Sequence, residues 1–249
     1  MTQVGRIRLA VIFAAVLLLE AACRGGLIDR FSLVPPSLMT LTAIRLLWAG
    51  TYTVDILTTL GTVMTAAVLS ILCGFALGVV LWALPRLHRA ADPFLASYYA
   101  VPSFIFYPLF IVMFGLNRWP LVAVAFIFSF IAMAIATVDG FNSVRPILRR
   151  VARSMRLSPL DTILAVVLPA AAPYFFTGVK LAVAYAFIGV VAGEFIQSGT
   201  GLGYRIAFAY QSFETGTMYG LMLILIVGVV LVNSALWALE RRLRLQIAT

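Results

Sequence analysis

The sequence predicts an all-α, polytopic membrane protein with six transmembrane helices and a cytoplasmic helix-turn-helix elbow between the fourth and fifth. Three observations predict it. Of 249 residues, 63% are hydrophobic and only 11% charged, with a mean hydropathy of +1.07, which no soluble domain of this size shows. The apolar residues fall in long runs separated by short charged gaps. The eighteen Lys and Arg residues sit mostly in those gaps, and mostly in alternate ones.

The net charge of +9 is therefore read as loop arginines meeting water and anionic headgroups. No basic groove or aromatic platform accompanies it, so nucleic acid is not an expected partner. Cys23 and Cys73 lie in or beside apolar runs, without metal-ligand spacing, and neither a disulfide nor a metal site is expected. His88, between Arg86 and Arg89, reads as a solvated loop residue.

Ile7 to Cys23 forms the first span. A lipoprotein signal competes, since Ala21-Ala22-Cys23 imitates a cleavage site, but Glu20 stands where a Leu-like residue belongs. A mixed linker follows, in which Pro35-Pro36-Ser37 starts a short interfacial helix with Leu38, Leu41, Ile44 and Leu47 on one face. Asp55 to Leu84 is the second span, ended by Pro85 and longer than the ~20 residues a crossing needs. Gly74 and Gly78 form a GxxxG pair that permits close helix packing.

Arg86 to Arg89 reads as a cytoplasmic turn, and Asp92-Pro93 as the N-cap and first position of a third span reaching Gly115. Pro102 and Pro108 should bend or break that span. They belong either to a kinked structural helix or to one lining a wet cavity. Asn117-Arg118 is a tight outside turn. Trp119 to Val138 is the fourth span, closed by Asp139-Gly140.

Tyr174 to Ile196 is the fifth span, carrying Lys180 and Glu194. Lys180 is near enough to the cytoplasmic end to snorkel, and Glu194 near enough to the other end to reach water. Both are equally candidates for a solute path. A Gly-rich loop spans 197–217, the sixth span runs from Met218 to Leu239, and Glu240, Arg241, Arg242 and Arg244 finish the chain.

Orientation is a count. The N-terminus, the 85–91 turn, the stretch from Arg145 to Pro173 and the C-terminus together hold twelve arginines, against five elsewhere (Arg24, Arg30, Arg45, Arg118, Arg205). The twelve belong in the cytoplasm with both termini. No internal repeat of the kind found in secondary transporters is visible.

The island from Arg145 carries five of the basic residues within twelve positions. Pro146 to Met155 makes one short helix, with Arg149, Arg150 and Arg153 on exposed faces. Ser158-Pro159-Leu160-Asp161 starts another, with Ser as N-cap, Pro at the first position and an acid facing the helix dipole. That second helix is expected to end before Leu168-Pro169. An apolar elbow facing water needs cover from a partner, from its own bundle or from the lipid surface.

The run from Val151 to Ser158, with Val166-Val167-Leu168-Pro169 and Gly178, resembles the EAA loop of binding-protein-dependent ABC importer permeases. Val34-Pro35-Pro36-Ser37, Asp92-Pro93, Val101-Pro102, Tyr107-Pro108-Leu109, Phe114-Gly115, Glu194 and Gly201-Leu202-Gly203-Tyr204 resemble its nitrate/taurine/alkanesulfonate branch in order and spacing. These pieces cover about residues 34–245. Two positions depart: Arg150 stands for the motif's acid and Arg156 for its glycine. Arg156 then either sits in a different turn or accepts a left-handed strain on the order of 1 kcal/mol.

The resemblance implies the transmembrane subunit of an importer in a bacterial cytoplasmic (inner) membrane. Residues 1–51 would supply a first helix and an extracytoplasmic linker, and 52–249 a five-helix core with a coupling loop at 145–170. ATPase coupling would rest on Arg149, Arg150, Ala152, Arg153, Met155, Arg156, Leu157, Ser158, Pro159 and Asp161. The translocation path would involve Pro102, Tyr107, Pro108, Lys180 and Glu194. The expected partners are a dimer of ATPase subunits, a second permease copy (the same chain, or a different one), an extracytoplasmic solute-binding protein and lipid. No Walker A pattern occurs, so the chain is expected to bind no cofactor and to be no enzyme itself, ATP and Mg being held by the partner. The rival reading is a stand-alone secondary carrier or channel, which needs buried ionisable pairs.

Overall fold

The computed structural model describes residues 3–29, 32–98, 101–197 and 199–247. Arg30 of the outside count lies beyond them, as do the side chains of Arg8, Pro159 and Arg244. Every regular element among the described residues is helical. Two compact units emerge, one from Met1–Thr58 with Glu194–Gly228, the other from Thr59–Gly193 with Val229–Thr249.

In the first unit, α1 (Gln3–Arg24) is followed by α2 (Pro36–Ala49), which starts on Pro36 at its first turn. The start of α2 is held by Glu20. Its carboxylate accepts the Ser37 N–H at 3.0 Å and the Ser37 hydroxyl at 2.6 Å, while pairing with Arg24 at 2.6 Å. A carboxylate on a helix N-terminus satisfies donors that the helix leaves open. Leu38, Leu41, Ile44 and Leu47 are all exposed, so α2 carries the apolar face expected of it. The unit also holds the short helix α10 (Leu202–Gln211). Its Leu202 and Ile206 pack with Leu221, Leu46 and Ile56.

The second unit is built round α6 (Trp119–Ser143), in which 67% of the apolar window is buried within the chain. Its Val122 and Ala125 pack with Val63, Ala66 and Ala67 of α3 (Thr53–Ala83) and with Val183, Ala186 and Val190 of α9 (Leu168–Gln197). The GxxxG pair works here as expected. A Cβ on Gly78 would stand 2.7 Å from the Ala134 carbonyl oxygen, and one on Gly74 2.8 Å from Met133 Cβ, so only glycine allows this approach of α3 to α6. Ser70 and Ser129 bond across the same seam at 2.6 Å.

Among the described residues, four apolar helices are long enough to cross a bilayer: Thr53–Ala83, Trp119–Ser143, Ile163–Ile196 and Thr215–Arg242, the last within α11 (Thr215–Ile247). Of the other two expected spans, α1 is a continuous helix, and the third segment is broken. Helix α4 (Pro85–Ser97) is followed by a 3₁₀ turn (Ser103–Phe106) and by α5 (Tyr107–Phe114).

Four expectations are corrected here. Arg86–Arg89 is not a turn, and Asp92-Pro93 does not start a helix. Pro85 already opens α4 at its first turn and Pro93 lies inside it, because good helix formers from Arg86 to Asp92 carry the helix past one missing hydrogen bond. Pro102 does break the segment, capping the 3₁₀ turn with extended backbone (ψ 103°). Pro108 does not: it sits in the first turn of α5, where its absent N–H costs nothing. Finally, α6 does not close at Asp139-Gly140 but runs to Ser143. A Cβ on Gly140 would stand 3.0 Å from Tyr174 Cβ and 3.1 Å from the Phe175 ring, so this glycine serves close packing rather than termination.

Candidate functional site

The elbow begins with α7 (Pro146–Ser154), opened by Pro146 after extended Arg145. Its end is a Schellman turn. Leu157 N–H reaches back to the Ala152 carbonyl at 3.1 Å and Arg156 N–H to Arg153 at 3.0 Å. Arg156 occupies the left-handed position (φ 54°) that glycine ordinarily fills. The residue accepts the strain; the turn itself keeps the geometry a glycine would give.

Ser158 then caps the next helix. Its hydroxyl oxygen accepts the Asp161 N–H at 3.1 Å, which caps the helix start, and the hydroxyl donates to the Asp161 carboxylate at 2.6 Å. Pro159 opens α8 (Pro159–Thr162). This second arm does not end before Leu168-Pro169 as expected. It passes through a π turn (Ile163–Val167) straight into α9. The widened turn moves the Leu168 N–H onto the Ile163 carbonyl, which absorbs the residue whose ring and missing donor would otherwise break the helix.

Arg150, Arg153, Met155 and Asp161 are exposed, Leu157 is half-buried and Ala152 is buried. Ile147, Val151, Met155 and Leu164 of the same elbow are exposed apolar residues. Arg149 departs from expectation. Its guanidinium donates to the Phe141 carbonyl at 2.7 Å and lies 5.5 Å from the centre of the Trp82 ring. Phe141 is within the last turn of α6, where carbonyls lack helical partners and cations are favoured. Arg149 thus ties the elbow to the helices that carry it.

The residues named for a solute path stand in different surroundings. Pro102 and Pro108 are exposed. Tyr107 is buried with Leu121 and Val124 of α6. Lys180 forms an ion pair with Glu240 of α11 at 2.7 Å, so it has a partner in the protein and does not depend on snorkelling. Glu194 does not reach water; it is fully buried and accepts the Gly203 N–H at 2.9 Å. Asp55 works beside it within the first unit, accepting the Gly201 N–H at 3.0 Å and pairing with Arg205 at 2.9 Å. Two carboxylates thereby meet the N-terminus of α10, which enters through Gly201 at φ 97°. The pairings of Asp55 with Arg205 and Lys180 with Glu240 were not named from sequence. Opposite charges at bilayer depth signal that partners exist, but their separations of 150 and 60 residues conceal which.

Comparison with known proteins bears on what the elbow and bundle are. A Leptolyngbya laminosa protein named nitrate import permease protein NrtB is 31% identical over 159 residues, covering 64% of this chain and 56% of that protein. The chain thus spans little more than half of that relative's length. A probable ABC transporter permease of Haemophilus influenzae is 31% identical over 178 residues, covering 70% and 73% of the two chains. The Escherichia coli taurine transport system permease protein TauC is 26% identical, covering 73% and 66%. Among solved structures, an inward-facing MetNI methionine ABC transporter chain shares the fold with a TM-score of 0.66 at 18% identity, over 76% of this chain and 94% of that one. The profile of the family described as binding-protein-dependent transport system inner membrane component matches residues 66–245, which takes in α6, the elbow and most of the remaining helices. The chain belongs to that family of transport-system inner membrane components.

Proposed function

We propose that this chain is the membrane-spanning subunit of an ABC importer, driven through the elbow by ATPase subunits bound in trans. The observation that carries the reading is the elbow itself, an exposed two-helix corner whose second arm is continuous with α9. A force applied there passes into a membrane span without an intervening loop. Its exposed apolar residues need a protein cover, and its arginines suit a groove with acidic residues.

In this reading the chain crosses the inner membrane six times with both termini cytoplasmic, and residues 52–249 form its core. It works with a second permease copy and an extracytoplasmic solute-binding protein. Only 6% of the apolar window of α11 is buried within the chain, which leaves that helix for lipid or the second copy. The solute is small. Relatives are named for nitrate, taurine and formylaminopyrimidine import, and much of the choice rests with the binding protein.

Affinity purification of the tagged chain from its own cells tests the reading. An ATP-hydrolysing partner is expected to co-purify. Arg150→Glu with Arg153→Glu should reduce that recovery about tenfold or more, as lost charge complementarity at a docking surface does. Solute uptake by this chain alone in vesicles would establish the rival carrier instead.

A further inference from the structure

We propose that the open groove between α6 and the first half of α9 binds a small organic cation, a protonated amine or amidinium on a compact body, with Asp139 as its counter-ion. The groove has a volume of about 380 Å³ and is lined by Asp139, Tyr174, Thr177 and Tyr185 together with Ile135 and Leu181. That volume lies in the range of small-molecule sites, roughly 300–1,000 Å³. Asp139 and Ile135 also line a second cavity of about 310 Å³, shared with His88 and Asp92.

Charge decides the class of ligand. Among the described residues neither cavity is lined by a lysine or an arginine, and Arg149 of the elbow is occupied by Phe141 and Trp82. Four carboxylates lie on the four helices that, among the described residues, are long and apolar enough to cross a bilayer. Asp55, Glu194 and Glu240 are each bonded to an arginine, a backbone N–H or a lysine. Asp139 has no ionic or hydrogen-bonding partner among the described residues. It also lies in the C-terminal turns of α6, where the helix dipole adds negative potential. Exposed on an open groove with apolar walls, this carboxylate is free to meet a cation without giving up an internal partner.

The rest of the lining agrees. Thr177 donates its hydroxyl proton to the Pro173 carbonyl at 3.0 Å, so toward the groove its oxygen is left as an acceptor. Tyr174 and Tyr185 contribute rings that attract cations, and Ile135 and Leu181 give the body of the ligand an apolar bed. An inorganic anion would find no cation to receive it.

This names a substrate class for the importer reading and rests on that reading for its physiological sense, although binding itself is measurable without it. The full-length chain in lipid nanodiscs would be titrated calorimetrically with benzamidine and, separately, with benzoate, which has nearly the same shape and opposite charge. Saturable binding of benzamidine without binding of benzoate is expected. Asp139→Asn should weaken benzamidine about tenfold or more, the scale of one lost charge-assisted contact. Because Asp139 is exposed and unpaired, that variant breaks no internal bond; should it nevertheless misfold, Thr177→Val provides a second reading and should weaken binding severalfold. Binding of benzoate as tight as that of benzamidine, or benzamidine binding unmoved by either substitution, would overturn the proposal. Recovery of an ATPase partner alongside such a result would leave the importer reading standing.

Discussion

Arg156 holds a left-handed backbone in a turn whose hydrogen bonds are those of a glycine-ended helix. Replacing it with glycine removes a strain of about 1 kcal/mol, partly offset by the greater freedom of an unfolded glycine. Arg156→Gly should therefore raise the thermal midpoint of the purified protein slightly, while Arg156→Val should lower it, β-branching being worst at positive φ. The sequence marked this position because the EAA pattern has glycine where an arginine stands; the strain was one of two readings, and the turn geometry selects it. Lys180 and Glu240 behave differently. Lys180→Met leaves a buried carboxylate without its lysine and should cost about 2 kcal/mol, below the figure for a fully buried pair because Lys180 is 32% exposed. Lys180→Met with Glu240→Gln should recover much of the loss, as a double-mutant comparison of thermal midpoints would read. Which lysine meets which acid was hidden in the sequence, since pairing is a property of packed helices and not of spacing.

Among elements, the legible ones were those with strong local grammar. The start of α2 on Pro36, the cap at Ser158 and the break before the 3₁₀ turn all follow from residues within one turn of the event. The illegible ones were decided by competition or by distant packing. Two proline starts compete at Pro85 and Asp92-Pro93, and the upstream one prevails. Gly140 reads as a terminator until Tyr174 and Phe175 of α9 are seen against it. The π turn is the clearest case, because nothing in Ile163–Val167 announces it; Pro169 just downstream is what makes a widened turn preferable to a broken helix. At this scale the glycine seam gives a direct test. Gly78→Val places side-chain atoms against Thr137 and the Ala134 carbonyl and should cost about 1–3 kcal/mol by overpacking. A lower thermal midpoint and a smaller monodisperse yield would show it. Gly228→Val has open space at its Cβ and should be nearly silent.

For the molecule as a whole, the composition and the order of apolar runs were enough to indicate a helical membrane protein, and short motifs in sequence order were enough to indicate a permease family. Of the residues named for a solute path, Tyr107 packs against α6, Lys180 and Glu194 hold partners within the protein, and Pro102 and Pro108 are exposed. Prolines and charges within spans are conspicuous in a sequence, but an aspartate near a helix end is not, and Asp139 reads there only as part of the close of the fourth span. The division into units is likewise invisible from the sequence, because each is assembled from two separated stretches. If the elbow transmits force through α9, Arg149→Ala should loosen its hold on α6 and Trp82. Transport by the assembled complex should then fall by more than its ATP hydrolysis, and Arg149→Lys should restore only part, lacking the guanidinium fork.

The junction of Asp55 with the start of α10 has a consequence for how the chain is made. Asp55 leaves the ribosome 150 residues ahead of Arg205, an interval of about 8 to 30 s at ordinary rates of synthesis. Through most of that interval the first unit holds only its stretch from Met1 to Thr58, with an acid that lacks its base. The nascent chain must therefore keep Asp55 at the water boundary, and the segment can settle to its final depth only when α10 arrives to meet it. A chain cut short before Gly201 should remain in the membrane in a state that surveillance proteases recognise, and pulse-chase labelling of such a truncation should show a half-life several times shorter than that of the full-length chain.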